Sequence, residues 1–214
     1  MSVSIAVIDY GAGNLRSIRR ALEAAGADVT VTGEAAPVLA ADAVVFPGVG
    51  AAGASMQRLR DLDLLGPIHE VVAQERPFLG ICLGMQLLFE EQEEGDTHGL
   101  GLLRGRVRSL SHDVKVPQIG WNRTLWVQDG AGSRAGEGGD FYFVHSYIAE
   151  PASDDDIVAV TRYGEVFPSI VRHGQIWGTQ FHPEKSGEAG LKMVAGWVDD
   201  VRARAAASRE GALA

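Results

Sequence analysis

A single cysteine, Cys82, occurs in the 214 residues, so no intramolecular disulfide can form and the chain shows no adaptation to an oxidising compartment. Basic residues are also scarce: 19 Lys and Arg against 28 Asp and Glu leave a formal charge of -9. A nucleic-acid binder needs a basic stripe to displace counterions from phosphates, so that class is disfavoured and small-molecule chemistry is the better starting point. No apolar run approaches the roughly 18 residues needed to cross a bilayer, and the opening Met1-Ser2-Val3-Ser4-Ile5 has no basic n-region. These absences predict a soluble, unprocessed, cytoplasmic protein. What is abundant is apolar: 46% of the residues are hydrophobic, enough for one domain of ordinary size to bury a core without disulfides or metal.

The first half alternates short β-rich runs with helical patterns. Val3 to Ile8 reads as a buried strand, after which Leu15, Ile18 and Leu22 recur at helical spacing up to Gly26, a residue suited to the position just past a helix end. Val29 to Thr32, Ala43 to Phe46 and Phe78 to Ile81 are further strands, with helical stretches carrying Met56, Leu59 and Leu62 and, after Cys82, spanning Leu83 to Glu91. Repeated βα units predict a parallel sheet covered by helices on both faces, with chemistry gathered at the carboxyl ends of the strands. The second half predicts added antiparallel structure: Gly101 to Leu110, Asp140 to Ala149, Ile157 to Tyr163, Val166 to Arg172 and Ile176 to Phe181 are closely spaced strands. Gly130 to Gly139 reads as a flexible loop. Leu191, Val194, Val198 and Val201 mark a closing amphipathic helix, with a frayed end from Arg202 onward.

Cysteines are more often small buried hydrophobes than nucleophiles, but Cys82 stands in Gly80-Ile81-Cys82-Leu83-Gly84 between a buried strand and a helix. This is the nucleophile-elbow pattern with cysteine in place of serine. A sharp strand-to-helix turn crowds the residues two positions either side, where a side chain would clash. The same turn sets the sulfur at a helix N-terminus and directs the Leu83 amide toward a developing oxyanion. Among six histidines, His69, His98, His112, His145 and His173 have ordinary structural readings, whereas His182 ends a strand, precedes Pro183 and is followed at i+2 by Glu184. Glu184 can orient the His182 ring while that ring takes the proton from Cys82; the bland alternative is a surface ion pair. A zinc deaminase also carries His-x-Glu but needs a Cys-x-x-Cys pair, which one cysteine excludes. Pro47-Gly48-Val49-Gly50 follows a strand and lets the backbone approach a ligand. Gly48, Gly50 and Gly53 literally satisfy a dinucleotide fingerprint, but Asp61 and Asp63 fall at a helix end rather than where the ribose partner belongs. The acidic run Glu90 to Asp96 reads as solvated surface rather than a metal site.

With an elbow cysteine, a later His-x-Glu and a glycine loop at a strand end, the chain resembles the class I glutamine amidotransferases, which hydrolyse glutamine through a glutamyl thioester. Within that class it is similar to the glutaminase subunits of imidazole glycerol phosphate synthases, judged from Ile8-Asp9-Tyr10-Gly11-Ala12-Gly13-Asn14-Leu15, Pro117-Gln118-Ile119-Gly120-Trp121-Asn122 and Gln180 to Ser186. The resemblance spans nearly the whole chain. It implies an α/β, flavodoxin-like three-layer sandwich with a mixed, mostly parallel sheet, helices on both faces and an antiparallel β extension. Residues 1–206 would form a single glutamine amidotransferase domain and 207–214 a frayed tail. It implies Cys82 as nucleophile, His182 as general base and acid, Glu184 as its orienter, and the Val49 and Leu83 amides as oxyanion hole, with a rearrangement needed before the Val49 amide points at the substrate. Gly48, Gly50, Gln86, Ser146 and Tyr147 would contact glutamine. The partner implied is a (β/α)8-barrel cyclase that receives ammonia and makes imidazole glycerol phosphate in histidine biosynthesis, docking near Asn14, Trp121, Tyr142 and Lys185. No cofactor or metal is required. The alternatives are the glutaminase of another class I system such as pyridoxal phosphate synthase, an inactive synthase-binding module, or a peptidase-like cysteine hydrolase, in which a histidine rather than Leu83 often follows the nucleophile.

Overall fold

The structure is a computed structural model that describes residues 2–211. Its first half runs β1 (Ser4–Ile8), α1 (Leu15–Ala24), β2 (Asp28–Thr32), α2 (Ala35–Ala40), β3 (Ala43–Gly48), α3 (Ala52–Asp61), α4 (Leu65–Ala73), β4 (Phe78–Cys82) and α5 (Leu83–Gln86). There follow β5 (Phe89–Gln92), β6 (Thr97–His98), β7 (Leu103–Ser109), β8 (Gln118–Trp126), β9 (Gly138–His145), β10 (Tyr147–Pro151), β11 (Ile157–Tyr163), β12 (Glu165–His173), β13 (Ile176–Thr179) and α6 (Gly187–Gly211).

Nine strands form one sheet in the order β2-β1-β3-β4-β13-β12-β11-β8-β9. From β2 to β13 the pairing is parallel, and from β13 to β9 it is antiparallel. Residues of β1, β3 and β4 are apolar on both faces because helices cover both. The period-2 alternation of a strand divides them between two cores. Ile5, Val7, Val45, Leu79 and Ile81 pack with Ile18 and Leu22 of α1 and Val194, Trp197 and Val198 of α6. Ala6, Ile8, Val44, Phe46 and Phe78 pack with Val38, Met56, Leu59, Ile68 and Val71 from α2, α3 and α4. Three layers result. Helix α1 ends as its sequence predicts, with Gly26 at φ 80 and the Gly26 and Ala27 amides bonded back to the Glu23 and Leu22 carbonyls.

Several expectations are corrected. The helix anticipated from Leu83 to Glu91 stops after one turn, and Phe89–Gln92 is strand β5 in a second sheet of order β10-β7-β5-β6. The helix cannot continue because the Leu87 carbonyl accepts from Leu100 N–H and the Leu88 carbonyl from the Leu102 and Leu103 amides, bonds that a longer helix would need internally. The run Asp140 to Ala149 is not one strand: β9 belongs to the large sheet and β10 to the small one, with Ser146 at the break. Strand β8 escaped the sequence reading, since Gly120, Asn122 and Arg123 interrupt its apolar pattern. Leu191 is 47% exposed, whereas Val194, Val198 and Val201 form the buried face of α6 as expected, joined by Met193 and Trp197. The end expected to fray is helical through Gly211, with Arg202 bonded to the Ala25 carbonyl and Arg204 to Glu75; residues 212–214 lie outside the described residues. No helix among the described residues is long and apolar enough to cross a membrane.

Candidate active site

The carboxyl ends of β3, β4 and β13 lie side by side, with Gly48 opposite Cys82 and Ile81 opposite Thr179. Cys82 joins β4 to α5 in a left-handed conformation, φ 56 and ψ -112, that L residues rarely adopt. A methyl group at Gly80 would sit 2.7 Å from the Gly84 carbonyl oxygen, and one at Gly84 would run into the Phe46 carbonyl oxygen of β3. The flanking glycines are therefore a steric requirement of the turn. Leu83 is the first residue of α5, so its amide has no intrahelical acceptor.

His182 follows β13 and is held from three sides. Its amide donates to the Tyr142 carbonyl at 3.0 Å, its carbonyl accepts from the Ser186 hydroxyl at 2.6 Å, and its Nδ1 lies 2.9 Å from Glu184 Oε1. Both side chains of the pair are only 3% exposed, so this is no surface ion pair. The Nδ1–H donates to the carboxylate, which leaves Nε2 as the free face of the ring, buried with no hydrogen-bond partner. Burial opposes charging the ring, yet the adjacent Cys82 sulfur and the Glu184 carboxylate outweigh it and raise the His182 pKa to about 9.

Cys82 and His182 open onto one cavity of about 290 Å³, whose other walls include Val49, Gly50, Leu83, Gln86, Ser146 and Tyr147. Thus eight of the residues expected at the site do meet there. Gly48 does not line the cavity: it is buried beneath the elbow, where a methyl group would sit 2.7 Å from the Gly84 nitrogen. Val49 lines the cavity, and its backbone also lies near the buried Tyr10 hydroxyl, which is outside the cavity lining. The Tyr10 hydroxyl is buried without a hydrogen-bond partner among the described residues. Burial is the main cause of the raised Tyr10 pKa.

The residue types and their arrangement match thiol-based amide hydrolysis. Residues 6–199 match the family model described as Glutamine amidotransferase class-I. The chain is a class I glutamine amidotransferase. This amidotransferase is 50% identical over 202 residues to the imidazole glycerol phosphate synthase subunit HisH of Methanothermobacter thermautotrophicus, covering 93% of this chain and 100% of that one. It is 44% identical over 202 residues to the subunit of the same name from Oceanobacillus iheyensis, covering 92% and 100%. Among solved structures, PurLQS from Thermotoga maritima shares the fold at a TM-score of 0.71 and 17% identity, over 94% of this chain and 99% of that one.

In this amidotransferase three of the residues expected at a partner contact cluster beside the cavity. Trp121 and Tyr142 stack edge to face at 6.1 Å between ring centroids, and Lys185 Nζ lies 5.9 Å from the Tyr142 ring. Asn14 is half-buried at the N-cap of α1, where its carbonyl accepts from the Ser17 and Ile18 amides. The sequence reading missed Glu94, Val144 and His145, which also line the cavity. Glu94 was hidden in the acidic run, and its carboxylate accepts from the Ala52 amide at 2.7 Å. His145 is 6% exposed, burial pushes its pKa down to about 4, and its Nδ1 lies 2.8 Å from the Tyr147 carbonyl. No sequence signal separates it from an ordinary strand histidine.

Proposed function

We propose that this chain is the glutaminase subunit of an imidazole glycerol phosphate synthase, acting in the cytoplasm and passing ammonia to a (β/α)8-barrel cyclase. The observation that carries the reading is the 50% identity to a named HisH across that protein's entire length. The elbow cysteine and the Glu184-held imidazole on a common cavity support the mechanism.

His182 Nε2 takes the Cys82 proton, and the sulfur attacks the glutamine carboxamide carbon to give a tetrahedral oxyanion. The Leu83 amide and, after the rearrangement that the family resemblance implies, the Val49 amide stabilise that oxygen. The imidazolium returns its proton to the leaving nitrogen, and ammonia departs, leaving a glutamyl thioester. Water then attacks the thioester with His182 as base, releasing glutamate and restoring the thiol. Gln86, Gly50, Ser146 and Tyr147 are positioned to hold the substrate, while Trp121, Tyr142 and Lys185 receive the cyclase. Asn14 is assigned to the same contact by resemblance alone.

The test is glutamine hydrolysis by the purified chain with and without the cyclase and its ribonucleotide ligand. The complex is expected to hydrolyse glutamine at least tenfold faster than the free chain, and Cys82→Ala to abolish turnover in both. Full activity in Cys82→Ala would exclude the mechanism, and equal stimulation by an unrelated synthase would exclude the assignment.

A further inference from the structure

Gln180 follows β13, and the register that pairs Thr179 with Ile81 brings it beside Cys82. Its side chain is wholly buried, and its backbone amide donates to the Ser169 carbonyl at 2.9 Å. The side chain ends between two groups of the site. Gln180 Nε2 lies 3.9 Å from Cys82 Sγ, and Gln180 Oε1 accepts from Gln86 Nε2 at 3.0 Å. The same Gln86 nitrogen donates to the Tyr147 carbonyl at 2.9 Å.

This chain of contacts decides which end of each amide is which. The Tyr147 backbone oxygen can only accept, so the Gln86 nitrogen faces it. That nitrogen can only donate, so Gln180 turns its oxygen to Gln86 and is left with its nitrogen toward the sulfur. A buried primary amide needs partners for its N–H groups, and at this position the sulfur is the partner available. In the sequence Gln180 stands out only as the first residue of the run to Ser186 that carries the family resemblance, with no role attached to its side chain.

We propose that Gln180 is a further residue of the glutaminase site, donating an N–H to the Cys82 sulfur and holding Gln86 so that its side-chain oxygen is free to meet the substrate. The proposal rests on the reading of Cys82 as nucleophile. In the resting thiol the S–H is directed at the Val144 carbonyl, 3.8 Å away, and the Gln180 N–H approaches a sulfur lone pair. When the proton passes to His182, the contact becomes a charge-assisted hydrogen bond to a thiolate and strengthens. The same bond favours the thiolate as leaving group when water opens the thioester. One side chain thus couples the nucleophile to the residue that grips glutamine.

Two substitutions separate the roles, assayed in the complex with the cyclase. Gln180→Glu keeps the acceptor for Gln86 and the shape but removes the donor, so kcat is expected to fall about 30-fold with KM for glutamine within about threefold of wild type. Gln180→Met removes both ends without burying a charge, so kcat is expected to fall at least about tenfold while KM also rises about tenfold. The methionine variant decides the matter if the buried carboxylate unfolds the chain. A Gln180→Glu complex with near wild-type kcat, or a folded Gln180→Met complex with unchanged kcat and KM, would overturn the proposal. A wild-type complex without Cys82-dependent hydrolysis would instead sink the glutaminase reading; intact wild-type activity with unaffected Gln180 variants sinks this proposal alone.

Discussion

Two buried histidines face one cavity with opposite tendencies. His182 has a sulfur and a carboxylate for neighbours and is raised to about 9, whereas His145, without a carboxylate partner, is driven by burial to about 4. The stability consequences differ in sign. A raised histidine contributes stability that is fully present below its unfolded value near 6.5 and is lost as pH climbs through about 9. For His145 the unfolded chain binds the proton more readily, so stability is lost as pH falls from about 6.5 toward 4. Urea unfolding across pH 4 to 9 checks both. His145→Gln is expected to flatten the acid limb by about 2 to 3 kcal/mol relative to wild type, and His182→Gln to flatten the alkaline limb. Parallel profiles for wild type and His145→Gln would show that His145 does not titrate as described.

At the scale of the element, the elbow is a packing problem solved by three glycines. Strand β4 turns into α5 so sharply that Gly80, Gly84 and, on the neighbouring β3, Gly48 pack backbone against backbone. Gly84→Ala forces its methyl into the Phe46 carbonyl, and since that oxygen belongs to a central strand it cannot retreat cheaply. The expected loss is about 3 kcal/mol in urea unfolding, accompanied by loss of glutaminase activity as the Cys82 turn is displaced. A stable, active Gly84→Ala protein would show that the turn can relax. The pattern Gly-x-Cys-x-Gly made this legible from sequence, because a short-range steric rule acts on neighbours in the chain. The stop of α5 after one turn was not legible, because the Leu87 and Leu88 carbonyls are claimed by Leu100, Leu102 and Leu103 from a separate segment.

At the scale of the whole molecule, two of the exposed apolar side chains of the antiparallel half stand beside the active-site mouth. Ile119 is 61% and Trp121 57% exposed on β8, across from Val144 and Tyr142 of β9, and Val144 also lines the cavity. Large exposed apolar residues that continue into a catalytic opening suit a partner that seals it. Trp121→Ala is expected to weaken cyclase binding by about 2 kcal/mol, roughly 30-fold in Kd, while leaving thermal stability of the free chain within about 0.5 kcal/mol. Calorimetric titration and thermal unfolding measure the two effects; unchanged affinity would remove Trp121 from the interface.

The chain's own order of residues determined the βα units, the elbow, the Cys82, His182 and Glu184 assignment and the family, since each depends on periodicity or on spacings of a few residues. The tertiary structure alone decided that Cys82 and His182 share a cavity, that Gly48 lies beneath rather than beside it, and that Gln180 bridges Cys82 and Gln86. These facts depend on which strands become neighbours. Pairing of β4 with β13 joins segments about a hundred residues apart, and it is settled by the burial of both sheet faces and the backbone bonds of the whole sheet rather than by any local pattern.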